Sequence, residues 1–269
     1  MSLFNFNILE MFSFFAVLVR FTVLCSVLPF LGDRMIPAPL KILLGLSLTV
    51  VLFPILVSTK QVVPADAADW SRSVGGIVGT IGLEVLVALA LGFTARLLFD
   101  GITMGANLVG AFMGFGAAST YDPHQESQTE VIAQIQTALA MLIFVTLDGH
   151  HLMLRASIDS YSIVGVGKAQ FGEHFSHRLI QLSAEVFRFG LQISAPILIS
   201  LFAVNGIFGI ISRALPQLNI LVLSFSVSAS VGLIVMFLSM SAFQETVGKI
   251  FGEMGGWMRS VLIALGSGG

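Results

Sequence analysis

FGLQISAPILISLFAVNGIFGIIS, residues 189–212, runs for twenty-four positions without an Asp, Glu, Lys or Arg. Crossing the roughly 30 Å hydrocarbon core of a bilayer takes about 20 mostly apolar helical residues, so this stretch predicts a membrane span. Arg213-Ala214-Leu215-Pro216-Gln217-Leu218-Asn219 follows it. Pro216 has no amide donor and restricts the residue before it, so the chain turns there. A second uncharged run, residues 214–244, supplies the returning span at about 218–243.

Outward from this hairpin, the same reading places spans at about residues 12–31, 40–57, 74–99 and 131–147. The first begins without Lys or Arg in residues 1–11, and it ends at Leu28-Pro29-Phe30-Leu31. A removable signal wants a basic start and a small-residue cleavage site, so this run reads as a retained span. Pro29, Pro37 and Pro39 bracket the first turn, and Pro54 lies near the end of the second helix. The composition agrees with this pattern. Of 269 residues, 56% are hydrophobic and 10% charged, and the mean hydropathy is +0.95. A soluble domain carries about 25% charged residues. A net charge of −2 removes the basic footprint needed for nucleic acid, and a single cysteine, Cys25, excludes an internal disulfide. The expected fold is all-α: a polytopic membrane protein of about six long helices arranged as helical hairpins, with a Gly-rich re-entrant loop, in one domain over residues 1–269.

With a cytoplasmic N-terminus, six spans put Lys60, Arg72, Arg155, Lys168, Arg178, Lys249 and Arg259 inside. Arg34, Lys41 and Arg213 fall outside, and cytoplasmic loops carry the Lys/Arg excess.

The re-entrant loop is read from GITMGANLVGAFMGFGAASTY, residues 101–121, which is uncharged and long enough for a further span. It carries glycines at 101, 105, 110, 114 and 116. Each costs about 1 kcal/mol of helix stability against alanine. Irregular backbone survives at membrane depth only when buried in protein or lining a watery cavity. The expectation is therefore helix to about Val109 and then an irregular loop carrying Phe112, Met113 and Phe115, ended by Asp122-Pro123. Such a loop is either a packed glycine hairpin or a plug whose apolar side chains dewet a pore. Gly75, Gly76, Gly79 and Gly82 read as small-residue packing between helices.

Charges within the spans are costly, by about 2.5–3.5 kcal/mol on insertion scales. Glu185 and Arg188, and likewise Arg96 and Asp100, are spaced to pair locally along a helix. Arg20 is mid-span and Glu84 lies ten residues into the third span, so they pair across helices, face a partner subunit, or relay protons. Adjacent His150 and His151 would point about 100° apart on a helix and not share an ion. His174 and His177, on a charged loop, could. No HExxH, no G-x-S-x-G and no phosphate loop occurs, so the reading is no enzyme, no metal and no cofactor.

Several stretches resemble the FliR family of flagellar biosynthesis proteins. They are Arg20 to Pro54, R-F-T-V-L-C-S-V-L-P-F-L-G-D-R-M-I-P…F-P, then Glu84 through Pro123, Asp148-Gly149-His150, Ser160-Tyr161, and Arg213 to Asn219. The R-x-x-P-Q-x-N motif and the G-F…D-P loop are the most specific. The resemblance implies a subunit of the flagellar type III export gate in the bacterial inner membrane, within the flagellar basal body. It further implies assembly with FliP and FliQ, joined by FlhB and FlhA, to pass unfolded flagellar proteins. Gly105, Gly110, Phe112, Met113, Gly114, Phe115, Gly116, Asp122 and Pro123 match the family's pore plug. Arg20, Glu84, Arg213, Pro216, Gln217 and Asn219 are expected in assembly or inter-helix pairing, and lipid surrounds the chain. The other reading is a proton-coupled secondary transporter of a small solute, suited by broken helices and midplane charges.

Overall fold

The computed structural model describes residues 7–29, 36–115, 128–214 and 220–266, which are helical apart from short turns and irregular connections such as residues 168–172. The helices are α1 (Ile8–Val27), α2 (Ala38–Ser58), a short 3-10 turn with α3 (Ala67–Trp70), α4 (Val74–Phe112) and α5 (Gln128–Thr146). They continue as α6 (Gly149–Ile163), α7 (Glu173–Ala214), α8 (Ile220–Leu238) and α9 (Met240–Gly266). Among the described residues, α1, α2, α4 and α7 are each long and apolar enough to cross a membrane. The number rises to six when each bent pair counts as one span. Those pairs are α5 with α6, and α8 with α9, the latter meeting at 63°.

Helix extent departs from the hydropathy reading where charge and helix coexist. α7 begins at Glu173 rather than near 189, so His174 and His177 lie on helix and not on a loop. Its polar start is joined by Arg188 donating to Glu185 at 3.1 Å. α6 and most of α9 carry charges that hide them from hydropathy, and in α9 the i,i+4 pair of Lys249 with Glu245, 2.7 Å, supports helix. α4 continues to Phe112, and Pro54 lies inside α2, which runs on to Ser58.

The chain forms two compact units. The first takes its described residues from Met1–Leu97, His150–Leu182 and Met254–Gly269. Its core packs Val17 and Phe21 of α1 against Phe53 and Leu56 of α2, with Val62 and Tyr161. Phe14 meets Phe53 edge to face at 5.5 Å. Gly45 lets α2 approach α1, since a Cβ there would sit 2.5 Å from the Thr22 hydroxyl.

The second unit takes its described residues from Leu98–Gly149 and Ser183–Glu253. Phe99, Phe144 and Phe251 form an aromatic triangle with centroid separations of 5.3, 5.0 and 5.1 Å. Val109, Met113, Ile132, Ile197 and Leu201 make its other cluster.

Candidate functional site

Arg20 lies in the middle of α1 and Glu84 in the first half of α4, in helices that hydropathy alone would fill with apolar residues. Both side chains are only 1% exposed. Arg20 Nε donates to Glu84 Oε2 at 2.6 Å, and Nη2 donates to Oε1 at 3.0 Å. The remaining guanidinium donors turn the other way. Nη1 donates to Ser160 Oγ at 2.9 Å, and Nη1 and Nη2 both reach the Val164 carbonyl at 3.3 Å. The guanidinium carbon lies 3.9 Å from the centroid of the Tyr161 ring. Glu84 Oε1 also accepts the Gly167 amide at 2.9 Å, and Gly167 has φ +68. Arginine offers five donors in a rigid fork. Here all five are used, so the geometry is that of a clamp tying α1, α4 and the end of α6 together. Proton transfer would have to break a fully satisfied network.

In the second unit, α4 passes α7 at a glycine contact. A Cβ at Gly105 would lie 2.6 Å from the Gly190 carbonyl, and one at Gly190 would lie 3.1 Å from the Gly101 carbonyl. This contact offsets the helix cost of the glycines and accounts for helix beyond Val109. α4 then ends at Gly114, whose φ of +92 suits glycine. Met113 is completely buried, and Gly232 on α8 makes room for it: a Cβ there would sit 2.6 Å from Met113 Cγ. Phe115 stacks edge to face on Phe225 at 5.7 Å, and Phe112 is 40% exposed.

The residues singled out from sequence therefore separate. Arg20 and Glu84 come together. Gly105 and Gly110 are helical positions of α4. Met113, Gly114 and Phe115 form the packed end of that helix. Arg213 is exposed at the end of α7. Gly116, Asp122, Pro123, Pro216, Gln217 and Asn219 lie outside the described residues. Among the described residues no atom lies within 4 Å of a Cβ built on Gly75, Gly79 or Gly82, which corrects the expectation of close packing at those three, whereas a Cβ on Gly76 would press on the Trp70 carbonyl.

Ser160 entered only through the resemblance at Ser160-Tyr161, and Val164, Gly167, Gly190 and Gly232 were missed. Val164 and Gly167 act through backbone atoms, which leave no trace in residue type. The histidine geometry also corrects the sequence reading. The His150 and His151 rings lie 4.2 Å apart, and Asp148, His150 and His151 each offer a ligand atom within 4.8 Å of the others. All three are exposed, and Asp148 has φ 54 in the turn before α6.

Comparison with known proteins adds sequence kinship to this geometry. Residues 11–254 match the model of bacterial export proteins, family 1. The chain is 28% identical to the flagellar biosynthetic protein FliR of Bacillus subtilis (strain 168) over 264 residues, covering 97% of this chain and 98% of that one. It is 27% identical to FliR of Pectobacterium carotovorum subsp. carotovorum over 254 residues, 94% of each chain. It is 26% identical to FliR of Escherichia coli (strain K12) over 241 residues, 90% of this chain and 89% of that one.

Proposed function

The chain belongs to the bacterial export proteins, family 1, as a non-enzymatic, FliR-like component of flagellar export in the inner membrane, and from that premise we propose that it is a subunit of the export gate. In this reading it joins FliP-like and FliQ-like subunits, with FlhB and FlhA beside them, to build the channel for unfolded flagellar proteins. The segment that begins at the end of α4 is the plug of that channel.

The observation that supports the plug is the construction of the α4 terminus. A helix ends on a left-handed glycine, and the bulky Met113 and Phe115 around it seat on Gly232 and Phe225 of α8. Apolar side chains held by contact alone can exclude water and ions when seated. They can also withdraw without rupture of a hydrogen-bonded element. Methionine suits this, being unbranched and adaptable.

The test is the conductance of the reconstituted complex. Deleting residues 110–116 should raise ion leakage well above that of the original, and Gly232→Leu should raise it too by unseating Met113. A deleted complex that assembles and stays equally tight would show that the segment is packing and no seal.

A further inference from the structure

In the first unit, a groove of about 470 Å³ opens between α6 and the last turns of α9. Arg155, Asp159 and Ser162 from α6 and Arg259 from α9 line it. Gly255 and Gly256 also line it, and among the described residues no atom lies within 4 Å of a Cβ built on either glycine. We propose that this groove binds the phosphate-bearing headgroup of an acidic phospholipid.

The charges make the first argument. Arg178 and Arg188 donate to side-chain partners, as Arg20 does. Arg155 and Arg259 have no such partner among the described residues, and both stand exposed on the same groove. Two guanidinium forks facing one space match a phosphate diester, whose oxygens accept paired N–H bonds. With Asp159 counted, the groove carries one net positive charge. That balance favours a headgroup with one net negative charge over a zwitterionic one.

The neutral and acidic groups set the rest of the headgroup. The Ser162 hydroxyl already donates to the Asp159 carbonyl at 2.6 Å, so it remains an acceptor. Asp159 is an acceptor as well. Together they suit a headgroup that ends in hydroxyls, as a glycerol headgroup does. The absence of side chains at Gly255 and Gly256 gives that group access to the α9 backbone.

A lipid is favoured over a soluble phosphate because Leu152, Ile163 and Leu262 line the same groove, offering the start of an acyl chain an apolar wall. With six spans and a cytoplasmic N-terminus, the charge distribution in the sequence places Arg155 and Arg259 on the cytoplasmic side. Basic pockets between membrane helices on that side take acidic headgroups.

The test uses the full chain purified with its co-expressed export subunits. It is reconstituted in nanodiscs of phosphatidylcholine alone or with phosphatidylglycerol, and retained lipid is counted by native mass spectrometry. Phosphatidylglycerol should be retained in at least tenfold preference and should raise the unfolding temperature. R155Q/R259Q should abolish both effects, while R155K/R259K keeps a large part of them. G256L fills an open position without changing charge and should also displace the lipid, which covers the case in which the glutamine variant fails to fold. Equal retention of the two lipids, or unchanged retention in G256L, would overturn the proposal. So would inorganic phosphate or glycerol phosphate reproducing the stabilisation in lipid-free detergent, since the ligand would then be a soluble anion.

Discussion

Arg20 carries a charge into the packed interior of the first unit, and it is tolerable there because every N–H of its guanidinium meets an acceptor. The pair is therefore asymmetric under mutation. Removing one partner of a buried ion pair costs about 3–5 kcal/mol, because the other charge is left uncompensated. Folded domains hold only about 5–15 kcal/mol in reserve. Glu84→Gln should accordingly lower the unfolding temperature of the co-expressed complex sharply and reduce its recovery. Tyr161 supplies the contrast. Its hydroxyl is buried without a hydrogen-bond partner among the described residues, while its ring faces the guanidinium. Tyr161→Phe keeps the ring and removes only the unsatisfied group, so stability should stay within about 0.5 kcal/mol or rise. Loss comparable to that of Glu84→Gln, measured by thermal unfolding in the same detergent, would mean that the hydroxyl has a partner in the assembly. The pairing of Arg20 with Glu84 was legible in sequence because two opposite charges stood alone in apolar runs. The acceptors on Val164 and Gly167 were not, since a carbonyl and an amide belong to every residue.

At the level of elements, α4 holds two glycine clusters that look alike in sequence and behave differently in the fold. Among the described residues, Gly75, Gly79 and Gly82 have open space where a side chain would go, whereas Gly105 lies against the Gly190 backbone. Gly79→Ala should therefore be neutral or stabilising by up to about 1 kcal/mol, through helix propensity and reduced freedom of the unfolded chain. Gly105→Ala should destabilise by about 1–3 kcal/mol, because the helices must separate to admit the methyl group. Midpoints of thermal helix loss in the two variants decide between them. Equal shifts would show that the α4–α7 approach is not tight. Hydropathy found the apolar body of each long helix. It missed residues 173–188 of α7, all of α6 and most of α9, where helix is supported by charge pairing and amphipathic packing. The end of α4 was read three residues early, since the cost of glycine was visible in sequence and the compensating contact with α7 was not.

For the whole molecule, length and surface argue for a life in company. α7 has 42 residues and α4 has 39, or about 63 Å and 58 Å of helix at 1.5 Å per residue. The hydrocarbon core is only roughly 30 Å thick, so each extends well beyond it unless strongly tilted or kinked. Phe202, Ile207 and Ile210 on α7, and Ile234, Phe237 and Leu238 on α8, are each more than half exposed. Leaving such a side chain in water forgoes about 1.5–3 kcal/mol. Lipid can cover those at membrane depth, and partner helices must cover those beyond it. The buried charges do not add to this demand, because Arg20 and Glu84 satisfy one another inside the first unit. Expressed alone, the chain should therefore be degraded or recovered as aggregate, with its apolar helix faces uncovered. Co-expression with FliP-like and FliQ-like subunits should yield a monodisperse complex of defined mass. Size-exclusion chromatography with light scattering in one detergent makes the comparison. A monodisperse chain that unfolds cooperatively on its own, at the same temperature as the co-expressed material, would mean that lipid or detergent suffices to cover these faces, and the need for partners would fall.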